Sequence, residues 1–130
     1  GLVDDINTID DAIEIIERSG HPDATVVVDP FHCWRGGGPI GSLRKLKASQ
    51  IAISHFDDAP SVPPASEQED SDRVLPGEGA IDLTLYCNEL AATGYNGYLS
   101  LELFREDLWS KDPLEVATLG LNKMRPFVEG

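Results

Sequence analysis

The sequence predicts an α/β fold in which parallel strands alternate with helices. Three features of the 130 residues support this prediction: an unbroken β-branched run, a strand of alternating leucines, and helical segments between the strands. Strands that alternate with helices form parallel βα units joined by right-handed crossovers. The chain is long enough for one hydrophobic core, and its hydrophobic content of 41% is ordinary for a globular domain.

A helix and a strand are predicted first. Thr8 and Asp11 have the spacing of a capping box, and apolar residues then recur at helical spacing until Gly20. The β-branched run over residues 25–28 is typical of a strand buried on both faces, as in a parallel sheet covered by helices. We expect this strand to end at Asp29.

A second strand and a long irregular segment come next. After a glycine-rich loop, residues 42–48 are expected to form a short helix, and the apolar run 51–54 indicates a strand with His55 at its end. Residues 56–80 are polar, contain several prolines and glycines, and have no helical or strand periodicity. Loops of this length inside compact domains are usually functional or disordered.

The last third is predicted to form a helix, a strand and a helix. Asp82 caps the first of these helices, and Gly94 closes it. In the strand that follows, leucines alternate with polar side chains, so Glu102 points away from the leucine face. Asp112 and Pro113 begin a final helix, which runs towards Pro126.

The composition argues against several classes of function. Ten Lys and Arg against 23 Asp and Glu give a formal charge of −13, which disfavours nucleic acids and anionic membrane surfaces as partners. No apolar run is long enough to span a bilayer, and no signal peptide is evident. Cys33 and Cys87 have neither zinc-type spacing nor a disulfide-rich pattern, so a reducing, cytoplasmic setting is expected.

Parallel βα units occur in two architectures, an open doubly wound sheet and a closed barrel. The positions of three ionisable residues favour the barrel. Asp29, His55 and Glu102 each lie at or near the C-terminal end of a predicted strand, and in a parallel barrel those ends converge. Two carboxylates and one imidazole suit Mn²⁺, Mg²⁺, Co²⁺ or Zn²⁺. A barrel needs eight strands and about 250 residues. The prediction is therefore a fragment of a barrel, about three βα units, completed elsewhere in a longer protein or by another chain.

Four segments together resemble a known family. Their order and spacing are similar to the sixth, seventh and eighth strands, with their loops, of the xylose isomerase-like TIM barrel family of sugar phosphate isomerases and epimerases. The resemblance covers nearly the whole chain. It implies that residues 1–130 form one partial barrel domain, from the region after strand 5 through helix 8. The segments are VVVDPFH over 26–32, ISHFDD over 53–58, DRVLPGEGAID over 72–82 and GYNGYLSLE over 94–102.

The resemblance also implies roles for individual residues. Asp29, His55 and Glu102 would bind the metal, and Glu102 would in addition exchange a proton with the substrate. His32 and Arg73 match residues that contact substrate oxygens. A second glutamate, on a strand before the first helix, would complete the metal site in such enzymes. The present chain by itself is therefore expected to bind metal weakly and to be inactive.

Each of these residues could instead have an ordinary structural role without contact to a metal or substrate. Asp29 could be a helix cap, and Glu102 could be a solvent-exposed strand acid in an antiparallel sheet. His32 and His55 could be ordinary surface or core histidines, and Arg73 could pair with a neighbouring aspartate in a solvated loop. The sequence leaves open whether three further charged residues line the site: Arg35, Asp57 and Asp58.

The function expected from these features is a divalent-metal-dependent isomerase or epimerase of a small sugar, keto-sugar or polyol derivative, acting through an enediolate. One alternative is a metal-dependent dehydratase of the inosose or dehydroshikimate type on the same barrel. Another is an inactive fragment or assembly module. The expected partners are a small-molecule sugar or polyol and either a second copy or the missing N-terminal half of the barrel. An endonuclease of the same superfamily is disfavoured by the acidic composition.

Overall fold

A three-stranded parallel sheet is the centre of the computed structural model, which describes residues 5–129. The strands are β1 (Val26–Val28), β2 (Ile51–Phe56) and β3 (Leu99–Leu101), in the spatial order β1-β2-β3. Both pairs are parallel, with Val28 opposite Ser54 and Phe56 opposite Leu101. The predicted α/β class and the parallel direction of the strands are confirmed.

Five α-helices alternate with these strands in the described part of the chain. Short 3₁₀ turns lie at 40–45, 48–50, 65–67 and 70–72. Across residues 5–129 no helix combines the length and apolar character needed to cross a bilayer. The helices are α1 (Ile9–Ser19), α2 (Pro30–Gly36), α3 (Leu83–Ala92), α4 (Glu106–Trp109) and α5 (Pro113–Val128).

The start of α1 has the predicted capping box. The Thr8 N–H donates to the Asp11 carboxylate at 2.9 Å, and the Asp11 N–H donates to the Thr8 hydroxyl at 3.2 Å. Gly20 ends the helix with φ of 62°, in the left-handed region that glycine adopts without a steric penalty. Local sequence therefore determines both ends of α1.

The prediction that β1 is buried on both faces is wrong for the described residues. Val28, which faces the helices, is 3% exposed, whereas Val27 on the other face is 49% exposed. Within residues 5–129, helices pack against one face of the sheet at β1, and the face that carries Val27 is left largely uncovered. The β-branched run predicts the strand correctly, but it does not indicate whether one or both faces of the strand are buried.

The segment between β1 and β2 also differs from the prediction. Asp29 is followed directly by α2, which was not predicted, and the expected helix over 42–48 is a 3₁₀ helix over Ile40–Lys45. Gly41 and Ser42 have low α-helix propensity, and a short 3₁₀ turn still buries Leu43 completely. β2 extends to Phe56, so His55 lies inside this strand rather than after it.

The core lies between the sheet and the helices packed on one of its faces. Ser54 and Phe56 point into it from β2, where the Ser54 hydroxyl is 2.8 Å from the Tyr86 hydroxyl of α3. The Phe56 ring packs against Phe127 with 5.9 Å between ring centroids. Phe127 follows Pro126 in the sequence, and α5 continues to Val128 rather than ending at the proline. Side chains on alternate positions of β2, including His55, face away from this core.

Residues 57–80 are ordered by two buried polar side chains rather than by regular structure. The Gln68 amide group donates to the carbonyls of Pro60 and Pro63 at 2.6 and 2.8 Å. The Asp58 carboxylate accepts four backbone N–H groups and thereby defines the turn before α3. Their donors are Ala59, Gly77, Gly79 and Ile81, at 2.8 to 3.0 Å.

Replacing Gly79 with Ala is expected to destabilise the chain by about 1–3 kcal/mol, because overpacking forces a shift of buried groups. A Cβ at this position would lie 2.3 Å from both the Ala59 carbonyl oxygen and Asp58 Oδ1. Urea unfolding of the variant measures the loss. Gly41→Ala is the matched control, since nothing lies within 4 Å of its Cβ position. Equal stability of the two variants would contradict this description of the turn.

Candidate metal centre

The three parallel strands place Asp29, His55 and Glu102 at one edge of the sheet. Asp29 follows β1 directly, His55 is the penultimate residue of β2, and Glu102 follows β3 directly. Val28 pairs with Ser54, and this register sets Asp29 level with His55. His55 and Glu102 also lie on the sheet face opposite the core, because side chains alternate along a strand.

The side chains of these three residues meet. His55 Nδ1 lies 3.2 Å from Asp29 Oδ2 and 2.9 Å from Glu102 Oε2. One ligand atom from each residue lies within 4.8 Å of the other two. Asp29 is buried, whereas the side chains of His55 and Glu102 are partly exposed. The residues that the sequence analysis selected as metal ligands are thus brought together.

The spacing and chemistry of this cluster fit a divalent metal ion. Two ligands bound tetrahedrally to zinc at about 2.0–2.1 Å are about 3.3 Å apart. The distances from His55 Nδ1 to the two carboxylates are close to that value. Two carboxylates and an imidazole also supply the oxygen and nitrogen donors that Mn²⁺, Co²⁺ and Zn²⁺ accept. Binding requires His55 Nδ1 to present its lone pair rather than a proton.

The two carboxylate oxygens of Asp29 contact different groups. Oδ1 caps α2 by accepting the N–H groups of Phe31 and His32 at 2.8 and 3.2 Å. Oδ2 faces His55 and Arg73. The helix cap that was considered as a purely structural role for Asp29 is therefore present. It involves Oδ1, so Oδ2 can still bind a metal ion. Capping also fixes the orientation of the carboxylate, as hydrogen bonds to metal ligands commonly do.

Arg73 is buried beside the candidate ligands. Its side chain is 1% exposed, and Nη1 lies 2.8 Å from Asp29 Oδ2 and 3.2 Å from Glu102 Oε2. Its guanidinium carbon lies 4.7 Å from the ring centroid of Phe31 and 5.4 Å from that of Phe104, distances typical of cation–π contacts. Arg73 is therefore part of a buried ionic cluster rather than of a solvated loop.

The charges in this cluster change one another's protonation. Burial raises the pKa of Asp29, but the charge and hydrogen bond of Arg73 outweigh it, so the pKa falls below the usual value of an aspartate. Burial lowers the pKa of Arg73, and the carboxylates of Asp29 and Asp57 more than reverse this effect. Asp29 and Arg73 are consequently both charged at neutral pH.

Asp57 is a member of the cluster that the sequence analysis left undecided. Its side chain is fully buried, and it contacts Arg73 Nη1 and accepts the Phe31 N–H at 3.2 Å. Burial and the charge of Asp29 raise the pKa of Asp57 to about 8, although the charge and hydrogen bond of Arg73 oppose this shift. Asp57 lies two residues after His55, and this spacing indicates the same side of the sheet.

His32 lies at the edge of the cluster. Its Nε2 is 3.2 Å from Arg73 Nη2 and 4.0 Å from Asp29 Oδ2. Burial and the nearby Arg73 charge lower the pKa of His32, although Asp29 opposes them. A guanidinium can only donate, so Nε2 of the neutral imidazole accepts and its proton resides on Nδ1.

The remaining charged candidates have other partners. Asp58 binds backbone N–H groups of the turn before α3, and Arg35 donates to the Gln68 carbonyl at 2.5 Å. Asp70, a neighbouring aspartate three residues before Arg73, accepts from Arg73 Nη2 at 2.7 Å. Asp72 accepts the Glu69 N–H in the same segment instead.

Comparisons with known proteins show the family to which the chain is similar. The family model described as xylose isomerase-like TIM barrel matches residues 2–126. Inosose isomerase of Halalkalibacterium halodurans is 39% identical over 104 residues, which are 80% of this chain and 36% of that protein. The 3-dehydroshikimate dehydratase of Pseudomonas putida is 28% identical over 92% of this chain and 19% of its own length. The chain therefore spans well under half of the curated relatives it matches.

A solved structure has the same arrangement of strands and helices. It is a crystal structure of the IOLI protein with a binding zinc atom, and it superposes with a TM-score of 0.86 at 32% identity. The match covers 94% of this chain and 44% of that protein, so the three-stranded sheet corresponds to part of a TIM barrel. From the family match, the superposition and the parallel sheet together, the chain belongs to the xylose isomerase-like TIM barrel family.

Proposed function

We propose that this chain contributes part of the active site of a divalent-metal-dependent isomerase or epimerase. Its substrate would be a small sugar, keto-sugar or polyol derivative. The observation that supports this most is the meeting of Asp29, His55 and Glu102 at the carboxyl ends of three parallel strands. The inosose isomerases among its relatives support the same class of reaction.

Asp29, His55 and Glu102 would hold the metal, which we propose to be Zn²⁺, Mn²⁺, Co²⁺ or Mg²⁺. The zinc named for the IOLI structure favours the first of these. We further propose that residues 1–130 form the region after strand 5 through helix 8 of the barrel. A glutamate on a preceding strand would then supply a further ligand, and the rest of the barrel or a second copy would cover the open edges of the sheet.

The chemistry assigned to the chain is proton transfer next to a carbonyl group. A bound dication would polarise the carbonyl oxygen and lower the cost of the negative charge that develops there. Glu102, at the partly exposed edge of the cluster, would take the proton and return it. The Arg73 guanidinium and the His32 imidazole would orient the substrate oxygens. Return to the neighbouring carbon gives isomerisation, and delivery from the opposite face by a second carboxylate gives epimerisation.

A dehydratase is the second candidate. The 3-dehydroshikimate dehydratases of two Pseudomonas species are relatives at 28% identity. The same proton removal followed by loss of a β-hydroxyl group eliminates water instead of moving the carbonyl. The chain alone, whose matched part spans 36–37% of the inosose isomerases, would be inactive.

Deuterium exchange distinguishes these functions. We expect an active preparation containing this chain to incorporate deuterium from D₂O at the carbon beside the carbonyl of an inosose, as followed by NMR. Removal of dications with EDTA should abolish exchange, and Zn²⁺, Mn²⁺ or Co²⁺ should restore it. A dehydratase would instead release water from dehydroshikimate and form an aromatic product. Full activity after removal of all dications would overturn the proposal.

A further inference from the structure

Arg73 forms ion pairs with two of the three candidate metal ligands. Its Nη1 contacts Asp29 Oδ2 at 2.8 Å and Glu102 Oε2 at 3.2 Å. A dication bound by the same oxygens would weaken both contacts and would place a second positive charge near the guanidinium. Like charges at this distance repel strongly in a buried site. Arg73 and a metal ion therefore compete for Asp29 and Glu102.

Arg73 cannot lose these partners without compensation. Its side chain is 1% exposed, and a buried cation without a carboxylate is strongly destabilising. Two other carboxylates contact it: Asp70, which is one-third exposed, and Asp57, which is fully buried. Asp57 contacts the same nitrogen, Nη1, as the two ligands, and it is absent from the group of residues that could hold the metal.

The position of Asp57 is fixed by the backbone. It lies directly after β2, and its Oδ1 accepts the N–H of Phe31 at 3.2 Å, at the start of α2. Phe31 itself lies under the guanidinium of Arg73. Asp57 is thus held at the junction of β2 and α2, and its other oxygen, Oδ2, contacts Arg73 Nη1.

We infer that Asp57 is a positioning residue, which retains Arg73 beside the metal centre and keeps the guanidinium from competing with the dication for Asp29 and Glu102. This inference rests on the proposed function, because it requires a dication at those two residues. It deepens that function by assigning the buried second carboxylate of the cluster to Arg73 rather than to the metal.

A double-mutant cycle tests the inference. Binding of Co²⁺ is measured by calorimetry at neutral pH in active preparations that contain the wild-type chain, Asp57→Asn, Arg73→Gln or the double variant. Asp57→Asn should weaken Co²⁺ binding about 10- to 100-fold, the usual effect of removing a residue that supports metal ligands. With Arg73→Gln already present, the same change should alter affinity less than about twofold, because the competing cation is gone. Asp23→Asn, at an exposed position, is the control.

Each outcome of the cycle has a distinct meaning. An equal loss in both backgrounds would show that Asp57 acts on the metal directly and would overturn the inference while leaving the proposed function intact. Absence of Co²⁺ binding in the active preparation with the wild-type chain would overturn the proposed function, and the inference with it.

A measurement on the wild-type chain covers the case in which Asp57→Asn fails to fold. The ¹⁵N-labelled guanidinium signals of Arg73 are followed by NMR during a Zn²⁺ titration, with exposed Arg125 as the reference. We expect the Arg73 protons to remain protected from solvent exchange at saturation, because Asp57 still accepts from Nη1. Loss of that protection on metal binding would mean that Arg73 is released, which overturns the inference.

Discussion

Glu102→Gln is expected to lower turnover by about 10²- to 10⁴-fold, the usual contribution of a general base or acid, while leaving the chain folded. The amide that replaces the carboxylate is neutral, so it neither accepts a proton nor attracts a dication. Glu102 follows β3 directly and its carboxylate lies 2.9 Å from His55 Nδ1, where both tasks would be performed. The measurement is kcat in an active preparation, with circular dichroism as the check on folding.

Glu14→Gln is the matched control for this substitution. Glu14 is exposed on α1 and pairs with Arg18, four residues later, so its loss should leave turnover unchanged. Near-normal activity of Glu102→Gln would remove Glu102 from the mechanism. An unfolded variant would instead assign Glu102 a structural role.

Arg73→Met is expected to destabilise the metal-free chain by about 3–5 kcal/mol, because it leaves the buried carboxylate of Asp29 without its cation and Asp57 without its hydrogen-bond donor. Met is similar in length and apolar, so the loss of packing against Phe31 and Phe104 is small by comparison. Urea unfolding monitored by tryptophan fluorescence measures the change. A loss of this size is a large fraction of the stability of a typical domain.

Arg125→Met separates the effect of burial from the effect of losing an arginine. Arg125 is about half exposed and pairs with Glu129 in the last turn of α5, so its removal should cost about 1 kcal/mol or less. If Arg73→Met proved no more destabilising than this control, the ionic cluster would not stabilise the chain as described.

The strands and the three candidate ligands could be predicted because each depends on local pattern. The β-branched run ending at Asp29 and the alternation that turns Glu102 away from the leucines both report backbone geometry directly. Once the strands are parallel, their carboxyl ends must share an edge, so Asp29, His55 and Glu102 meet without any further information.

The parts that escaped prediction depend on contacts between distant residues. Arg73 reaches Asp29 across 44 positions in sequence, and Asp57 reaches Phe31 across 26, so no local pattern indicates either pairing. The exposed face at Val27 likewise depends on which elements pack against β1. α5 passes Pro126 because Phe127 packs against Phe56, and such a tertiary contact can override the local preference of proline to end a helix.

X-ray diffraction from crystals of this chain soaked in Zn²⁺, with data collected at the zinc absorption edge, tests most directly whether these side chains form a metal centre. We expect one strong anomalous peak about 2.0–2.2 Å from Asp29 Oδ2, from His55 Nδ1 and from a carboxylate oxygen of Glu102. Arg73 should then lie against Asp57. An anomalous peak at other residues, or none between these three, would contradict the assignment of the site.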